Sequence, residues 1–206
     1  MLEVYQRPFD PARPVICMDE QPIQLHDEVR EPIPAHPGRP EKYDSEYKRN
    51  GVVCGFMFTE PLGQWRRVTI TETRTKKDWA YQMQHLLEVD YPDAEKVILV
   101  CDKLNMHVPG AFYETFPPAR AHALLSRLEF HPTPKHGSWL NIAEIELSAL
   151  TRQCLKRRIS TIEALRAETS AWNRKRNQAQ KGVDWQFTTE DARVRLKRLY
   201  PVILES

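Results

Sequence analysis

The sequence predicts an α/β domain, a mixed five-stranded sheet flanked by helices, with a helical and basic C-terminal extension. Three observations carry this. Short apolar and alternating segments come first, in the order strand, hairpin, helix, strand, which suits a mixed sheet. Val97 to Cys101 is apolar without interruption, as befits a central strand covered on both faces. From residue 141 onward the apolar residues recur with helical spacing.

In chain order, Val15-Ile16-Cys17-Met18-Asp19 reads as a short buried strand ended by an acid. Residues 22–50 are then expected to be a surface loop, because eight of the 16 prolines lie between Pro8 and Pro40 and proline is foreign to central strands. Residues 52–58 and 65–71 read as a hairpin around Pro61-Leu62-Gly63-Gln64, with Val68 and Ile70 on one face. Thr75 and Asp78 have the spacing of a capping box. Trp79, Met83, Leu86 and Leu87 follow at helical intervals, so the helix buries one face until Pro92 stops it. Residues 96–102 form the apolar strand; a short helical piece and a strand over 124–130 complete the sheet. Three helices are expected last, over 141–157, 161–180 and 188–199. Ile162, Leu165, Thr169 and Trp172 make the apolar stripe of the second.

Composition narrows the function. With 206 residues the chain suffices for one domain, taken as residues 1–206, with a sizeable core. Its longest apolar run, 97–101, is far too short to span a bilayer, and the N-terminus has no apolar signal region, so the cytoplasm is expected and a membrane partner is not. Cys17, Cys54, Cys101 and Cys154 stand far apart with no paired spacing and read as buried thiols. A zinc site from His131, His136 and a cysteine lacks the spacing of compact sites. The near-neutral net charge of +2 hides an asymmetry: residues 151–206 hold 13 Lys and Arg against 6 Asp and Glu, residues 1–150 hold 17 against 22. A basic helical tail on an acidic body suits a polyanion held beside carboxylates that bind a cation.

Those carboxylates are placed by periodicity. The side-chain period of two puts Val15, Cys17 and Asp19 on one face of their strand and Ile98, Val100 and Asp102 on one face of theirs. If the strands pair in parallel, both acids leave the sheet at the same edge, where open α/β sheets place their sites. Two adjacent carboxylates repel and favour a hard divalent cation between them, Mg²⁺ or Mn²⁺. Glu144 and Glu146 lie in the first turn of the next helix, about 200° apart around its axis, so one of them must be a spectator.

The chain resembles a known family at these positions. Asp19-Glu20 closing a strand, Cys101-Asp102-Lys103-Leu104-Asn105-Met106-His107, and Pro134-Lys135-His136-Gly137-Ser138-Trp139-Leu140-Asn141-Ile142-Ala143-Glu144 resemble the three acidic motifs of DDE transposases. The likeness is to bacterial insertion-sequence transposases of the six-thirty group, relatives of the mariner transposases. It extends to the loop around Gly38 and to the segment from Phe187. The resemblance implies an RNase H-like fold in which Asp19, Asp102 and Glu144 are catalytic and hold two Mg²⁺ (or Mn²⁺) ions, with Asn105, His107, His136, Ser138 and Asn141 in support. It also implies DNA cleavage and strand transfer on double-stranded DNA, at element ends and TA-containing targets, by a homodimer in which the loop over 22–50 is a candidate clamp. Arg39, Lys135, Arg157, Arg158, Arg174, Lys175 and Arg176 are the candidate phosphate contacts.

Two positions depart from the family. Lys103 stands where Asn usually follows the second acid, and an ammonium beside a metal carboxylate weakens cation binding unless it turns away. Met1 lies only eighteen residues before Asp19, so the N-terminal helix-turn-helix region of relatives is expected to be absent. The alternative reading is a catalytically impaired transposase remnant acting only as a DNA-binding or dimerising module; an RNase H-type hydrolase of RNA–DNA hybrids ranks behind it.

Overall fold

A computed structural model describes residues 2–40, 42, 44–134, 137–180, 190, 191 and 194 of the chain. The strands are β1 (Val15–Glu28), β2 (Tyr47–Glu60), β3 (Trp65–Thr71), β4 (Val97–Cys101) and β5 (Leu128–Pro132). The helices are α1 (Leu2–Tyr5), α2 (Lys76–His85), α3 (Gly110–Thr115), α4 (Pro118–Ser126), α5 (Ala143–Gln153) and α6 (Ile162–Gln178). The strands form one mixed sheet in the order β3-β2-β1-β4-β5. β1, β2 and β3 pair antiparallel, while β1 with β4 and β4 with β5 pair parallel.

Strand alternation divides the core into two layers. Ile16, Met18, Phe56, Phe58 and Leu99 face one way and meet Trp79, Met83 and Leu87 of the α2 region, Phe112 of α3 and Leu124 of α4. Cys17, Met57, Ile98 and Val100 face the other way, against Leu147 and Leu150 of α5 and Trp172 of α6. Farther along that second face Ile23, Val53 and Ile70 pack on Leu165 of α6. Each such side chain contributes about 1.5–3 kcal/mol on burial. The four cysteines are free and buried, as expected. Among the described residues no helix is long and apolar enough to cross a membrane.

α2 starts as its sequence indicates. Thr75 accepts from the Asp78 amide at 3.2 Å, and the Asp78 carboxylate accepts from the Thr75 amide at 2.8 Å. Such caps contribute about 1 kcal/mol. The helix then widens into a single π turn, Leu86–Asp90, that keeps Leu86 and Leu87 buried.

The proline-rich loop is shorter than expected. β1 runs through Pro22 to Glu28 and β2 begins at Tyr47, so only residues 29–46 lie between them, with bridges Ile33–Lys42 and His36–Arg39. Pro22 is tolerated because β1 pairs with β4 only over Val15–Cys17; beyond that its second edge is open and needs no amide there. At the tip Pro37 and Gly38 form a tight turn whose positive φ of 79° requires glycine. Residues 124–126 belong to α4 rather than to a strand: Pro118 opens that helix, and Leu124 reaches the same core from it. The expected helices over 141–157 and 161–180 are present as α5 and α6, slightly shorter. Of the third, 188–199, only Glu190, Asp191 and Val194 fall within the described residues.

α5 is fastened to the sheet by a buried charge cluster. Glu146, with no exposed side-chain surface, lies 3.3 Å from Arg66 Nε of β3 and accepts from Arg176 Nη2 of α6 at 2.7 Å. Arg66 is itself 1 % exposed and its backbone exchanges hydrogen bonds with the Asn177 side chain. Removing one partner of such a cluster leaves a buried charge uncompensated, at a cost of about 3–5 kcal/mol. Glu146→Ala is therefore expected to lower the melting temperature by roughly 10 °C, whereas Glu144→Gln leaves it unchanged or raised. Thermal unfolding of the two variants, followed by circular dichroism, checks this; equal melting temperatures would contradict it.

Candidate active site

The register of β1 on β4 brings two acids together. Cys17 lies opposite Val100 in the last parallel pair, and Asp19 and Asp102 each stand two residues farther on. Both continue the face that packs on α5. Asp19 is within β1 and not at its end, because β1 outruns β4 by ten residues. The third acid arrives on α5. A 3₁₀ turn, Ser138–Leu140, delivers the chain to Asn141, which is fully buried. Asn141 donates from Nδ2 to the Met18 carbonyl at 2.7 Å and accepts at Oδ1 from the Ala143 amide at 3.2 Å. One side chain thus ties the start of α5 to the strand residue preceding Asp19.

Asp19, Asp102 and Glu144 line one open cleft of about 380 Å³, together with Gln21, Pro22, Ser138, Leu147 and the Glu20 position. None of these lining residues is basic. Asp19 Oδ1 accepts from the Glu20 amide at 2.8 Å, and Asp102 Oδ1 accepts from the Leu104 amide at 3.3 Å and lies 2.7 Å from His107 Nδ1. Each aspartate therefore has one oxygen fixed by protein and Oδ2 without a hydrogen bond among the described residues. Burial pushes the Asp19 carboxyl up to about 7; the charges of Glu20, Asp102 and Glu144 add to this and the Glu20 amide opposes it. Three carboxylates on one cleft, with spare oxygens and no cationic lining among the described residues, are a donor set for hard divalent cations. The chain's residues fit such ions.

The structure resolves the choice between Glu144 and Glu146 geometrically: Glu144 faces the cleft and Glu146 the interior. Of the expected supporting residues, Ser138 lines the cleft, Asn141 tethers α5, and His107 contacts Asp102. Asn105 is exposed and does not line the cleft; His136 and Lys135 lie outside the described residues. Lys103 is exposed and points no ammonium into the cleft lining.

One residue was missed by sequence reasoning. Glu20 alternates onto the core face of Ile16 and Met18, where its side chain is 1 % exposed, and its Oε1 lies 2.6 Å from His107 Nε2. The signal was available: parity turns the second acid of Asp19-Glu20 inward, and a core carboxylate demands a partner. Burial alone would lower the His107 pKa, but hydrogen bonds to Asp102, Cys101 and Glu20 outweigh it and push it up to about 12, so the ring is an imidazolium.

The expected phosphate contacts separate into kinds. Arg158 pairs with Glu28 and donates to the carbonyls of Asp44 at 2.7 Å, Ser45 at 3.3 Å and Glu46 at 2.9 Å, so it fastens the end of the β1–β2 arm. Arg157 pairs with Glu168, Arg174 donates to Ser170 Oγ at 2.8 Å, and Arg176 is anchored on Glu146. Arg39 is exposed at the arm's tip. A second groove, about 710 Å³, lies between the end of α5 and α6 and is lined by Lys156, Arg157, Lys175 and Arg176 around Trp172.

Comparison with known proteins places this geometry. The sequence model of the DDE superfamily endonucleases matches residues 14–166, the span that contains all three acids. No curated protein matches the chain. Among solved structures, the Mos1 mariner paired-end complex with Mn is similar over 87 % of this chain and 54 % of that one, at 18 % identity and a TM-score of 0.58. The Mos1 strand transfer complex covers 87 % and 56 % at 14 % identity, TM-score 0.56; the Mos1 transposase paired-end complex with left transposon end covers 87 % and 54 % at 18 %, TM-score 0.57. The chain thus spans about half the length of these solved chains. At such identity the likeness shows the fold, the RNase H-like sheet with its flanking helices. By its sequence match across residues 14–166, the chain belongs to the DDE superfamily endonucleases.

Proposed function

We propose that the chain is the catalytic domain of a DDE transposase that cleaves DNA strands and transfers them during transposition of an insertion sequence. The observation that carries this is the convergence of Asp19, Asp102 and Glu144, from β1, the loop after β4 and α5, on one cleft with no basic lining residue among those described. Asp19, Asp102 and Glu144 would hold two Mg²⁺ or Mn²⁺ ions. When bound, such a pair supplies an activated attacking oxygen, from water or a DNA 3′-hydroxyl, and stabilises the leaving oxygen of an in-line displacement at phosphorus.

The chain's own residues supply the frame. Asn141 keeps Glu144 level with Asp19, and the amides of Glu20 and Leu104 hold one oxygen of each aspartate so that the other turns to the cleft. Duplex DNA is the substrate, taken at element ends and at TA-containing targets by a homodimer. The groove bearing Lys156 and Lys175 lies at the opposite end of α5 from Glu144, about 14 Å along the helix axis. That spacing lets the groove hold backbone phosphates of a duplex whose scissile bond lies at the carboxylates.

Nicking of supercoiled plasmid by the purified chain is expected to require Mg²⁺ or Mn²⁺ and to fall on the order of a hundredfold or more in Asp102→Ala. Cutting that persists in excess EDTA would rule this reading out. DNA binding without any heat from divalent cations would favour the remnant reading instead. Lys156→Ala/Lys175→Ala is expected to weaken duplex binding regardless of sequence and to reduce the slope of log affinity against log salt by about two; an unchanged slope would remove the groove from the interface.

Asp19 gives a pH signature in the metal-free protein. Its folded carboxyl titrates at about 7, above the ordinary 3.8, so the folded state holds that proton more tightly than the unfolded chain. The associated stability is complete below about 3.8 and is lost as pH rises through about 7. Asp19→Asn is expected to remove this decline and to raise the metal-free melting temperature at pH 8 by roughly 4–8 °C, on the order of 2 kcal/mol. Melting curves between pH 5 and 8 with EDTA present provide the check.

A further inference from the structure

We infer that Glu20 is a positioning residue for Asp102, acting through His107, a role that rests on the reading of the cleft as a metal centre. The contacts form a continuous strut: Glu20 Oε1 to His107 Nε2 at 2.6 Å, then His107 Nδ1 to Asp102 Oδ1 at 2.7 Å. The first two members of the strut are buried. The side chains of Glu20 and His107 are 1 % and 0 % exposed, and the His107 ring packs 5.4 Å, centroid to centroid, from Trp79. Asp102, by contrast, is 25 % exposed at the start of a loop, where an aspartate on its own samples several rotamers.

The position of Glu20 makes a purely architectural explanation costly. It occupies a core site on the face of Ile16 and Met18, where an apolar side chain would bury without penalty, and its Oε2 has no hydrogen-bond partner among the described residues. A carboxylate there gains one thing an apolar residue lacks, an acceptor for His107 Nε2. With Nε2 held, the ring plane is fixed, and Nδ1 meets Asp102 at two atoms, 3.2 Å from its main-chain carbonyl oxygen and 2.7 Å from Oδ1. The ligand atoms of Glu20, Asp102 and His107 lie within 4.8 Å of one another, a spacing that could suggest a cation site of their own. Both ring nitrogens, however, already stand at hydrogen-bonding distance from carboxylate oxygens, which closes that space. The arrangement follows the logic of groups behind a metal ligand, whose loss typically costs 10–100-fold in metal affinity.

The test is calorimetric titration of Mn²⁺ into the full chain and its variants, well below their melting temperatures. Glu20→Ala and His107→Ala are each expected to bind Mn²⁺ about tenfold more weakly. Glu20→Ala/His107→Ala is expected to be no weaker than His107→Ala, because the contact route from Glu20 to Asp102 runs through the ring. A folded Glu20→Ala variant with the wild-type constant, or additive losses in the double variant, would overturn the proposal. Should Glu20→Ala not fold, Glu20→Asp serves: it keeps the charge, withdraws the acceptor by about 1.5 Å and is expected to weaken Mn²⁺ severalfold, an unchanged constant again being fatal. Absence of Mn²⁺ heat from the wild-type chain would instead overturn the metal centre itself, a result distinguishable from failure of the strut alone.

Discussion

Three parallel residue pairs between β1 and β4 govern the site: Val15 with Ile98, Ile16 with Leu99, and Cys17 with Val100. Their phase sends Asp19 and Asp102 to the same face, two residues past the last pair. A slip of one residue would turn one acid onto the opposite layer of the core and separate the two. The phase is held because both faces of these strands are packed, Ile16 and Leu99 against the α2 side and Cys17, Ile98 and Val100 against α5. Packing that looks remote from the chemistry therefore sets the distance between its carboxylates.

The same helix uses two neighbouring acids in opposite ways. Glu146 is buried and satisfied by Arg66 and Arg176, so its charge secures α5 against β3 and α6. Glu144 faces a cleft that it shares with the carboxylates of Asp19 and Asp102. The first arrangement is electrostatically closed; the second is open, and the Asp19 carboxyl there is pushed up to about 7 chiefly by burial, with the charges of Glu20, Asp102 and Glu144 adding to it. Folding energy from the packed layers sustains a cluster of like charges that a cation would neutralise. Asn141 joins the two worlds, since its side chain pins the first turn of α5 to β1 where the acids meet.

Basic residues show a parallel division. Arg158, one of a pair of adjacent arginines, is turned inward to close the β1–β2 arm onto the segment between α5 and α6, whereas Lys156 and Lys175 line an outward groove. A run of positive charge in sequence is thus two devices in space. The arm itself is an extension of the central sheet's longest strands, tightened by the Pro37-Gly38 turn, which makes it a ribbon and not a slack loop.

Much of this was legible before any coordinates. The strand period placed Asp19 with Cys17 and Asp102 with Val100; the apolar run marked β4; the Thr75–Asp78 capping box and the spacing of Trp79, Met83 and Leu87 marked α2. These are local, periodic constraints, and a single strand or helix suffices to express them. What the sequence misjudged depends on neighbours. Pro22 looked like a loop residue because its own stereochemistry disfavours central strands, yet β4 is short enough to leave β1 an open edge there. Glu28 and the three carbonyls that Arg158 meets could not be read from its place in a basic run. The partners of Glu20 and Glu146, 87 residues and up to 80 residues away along the chain, could be assigned only by tertiary contact. The residues alone determined which groups carry charge and which face of their own element they occupy. Only the folded chain decided which of those charges are neutralised by a partner and which are left facing the cleft, because that depends on distances between segments that no local period encodes.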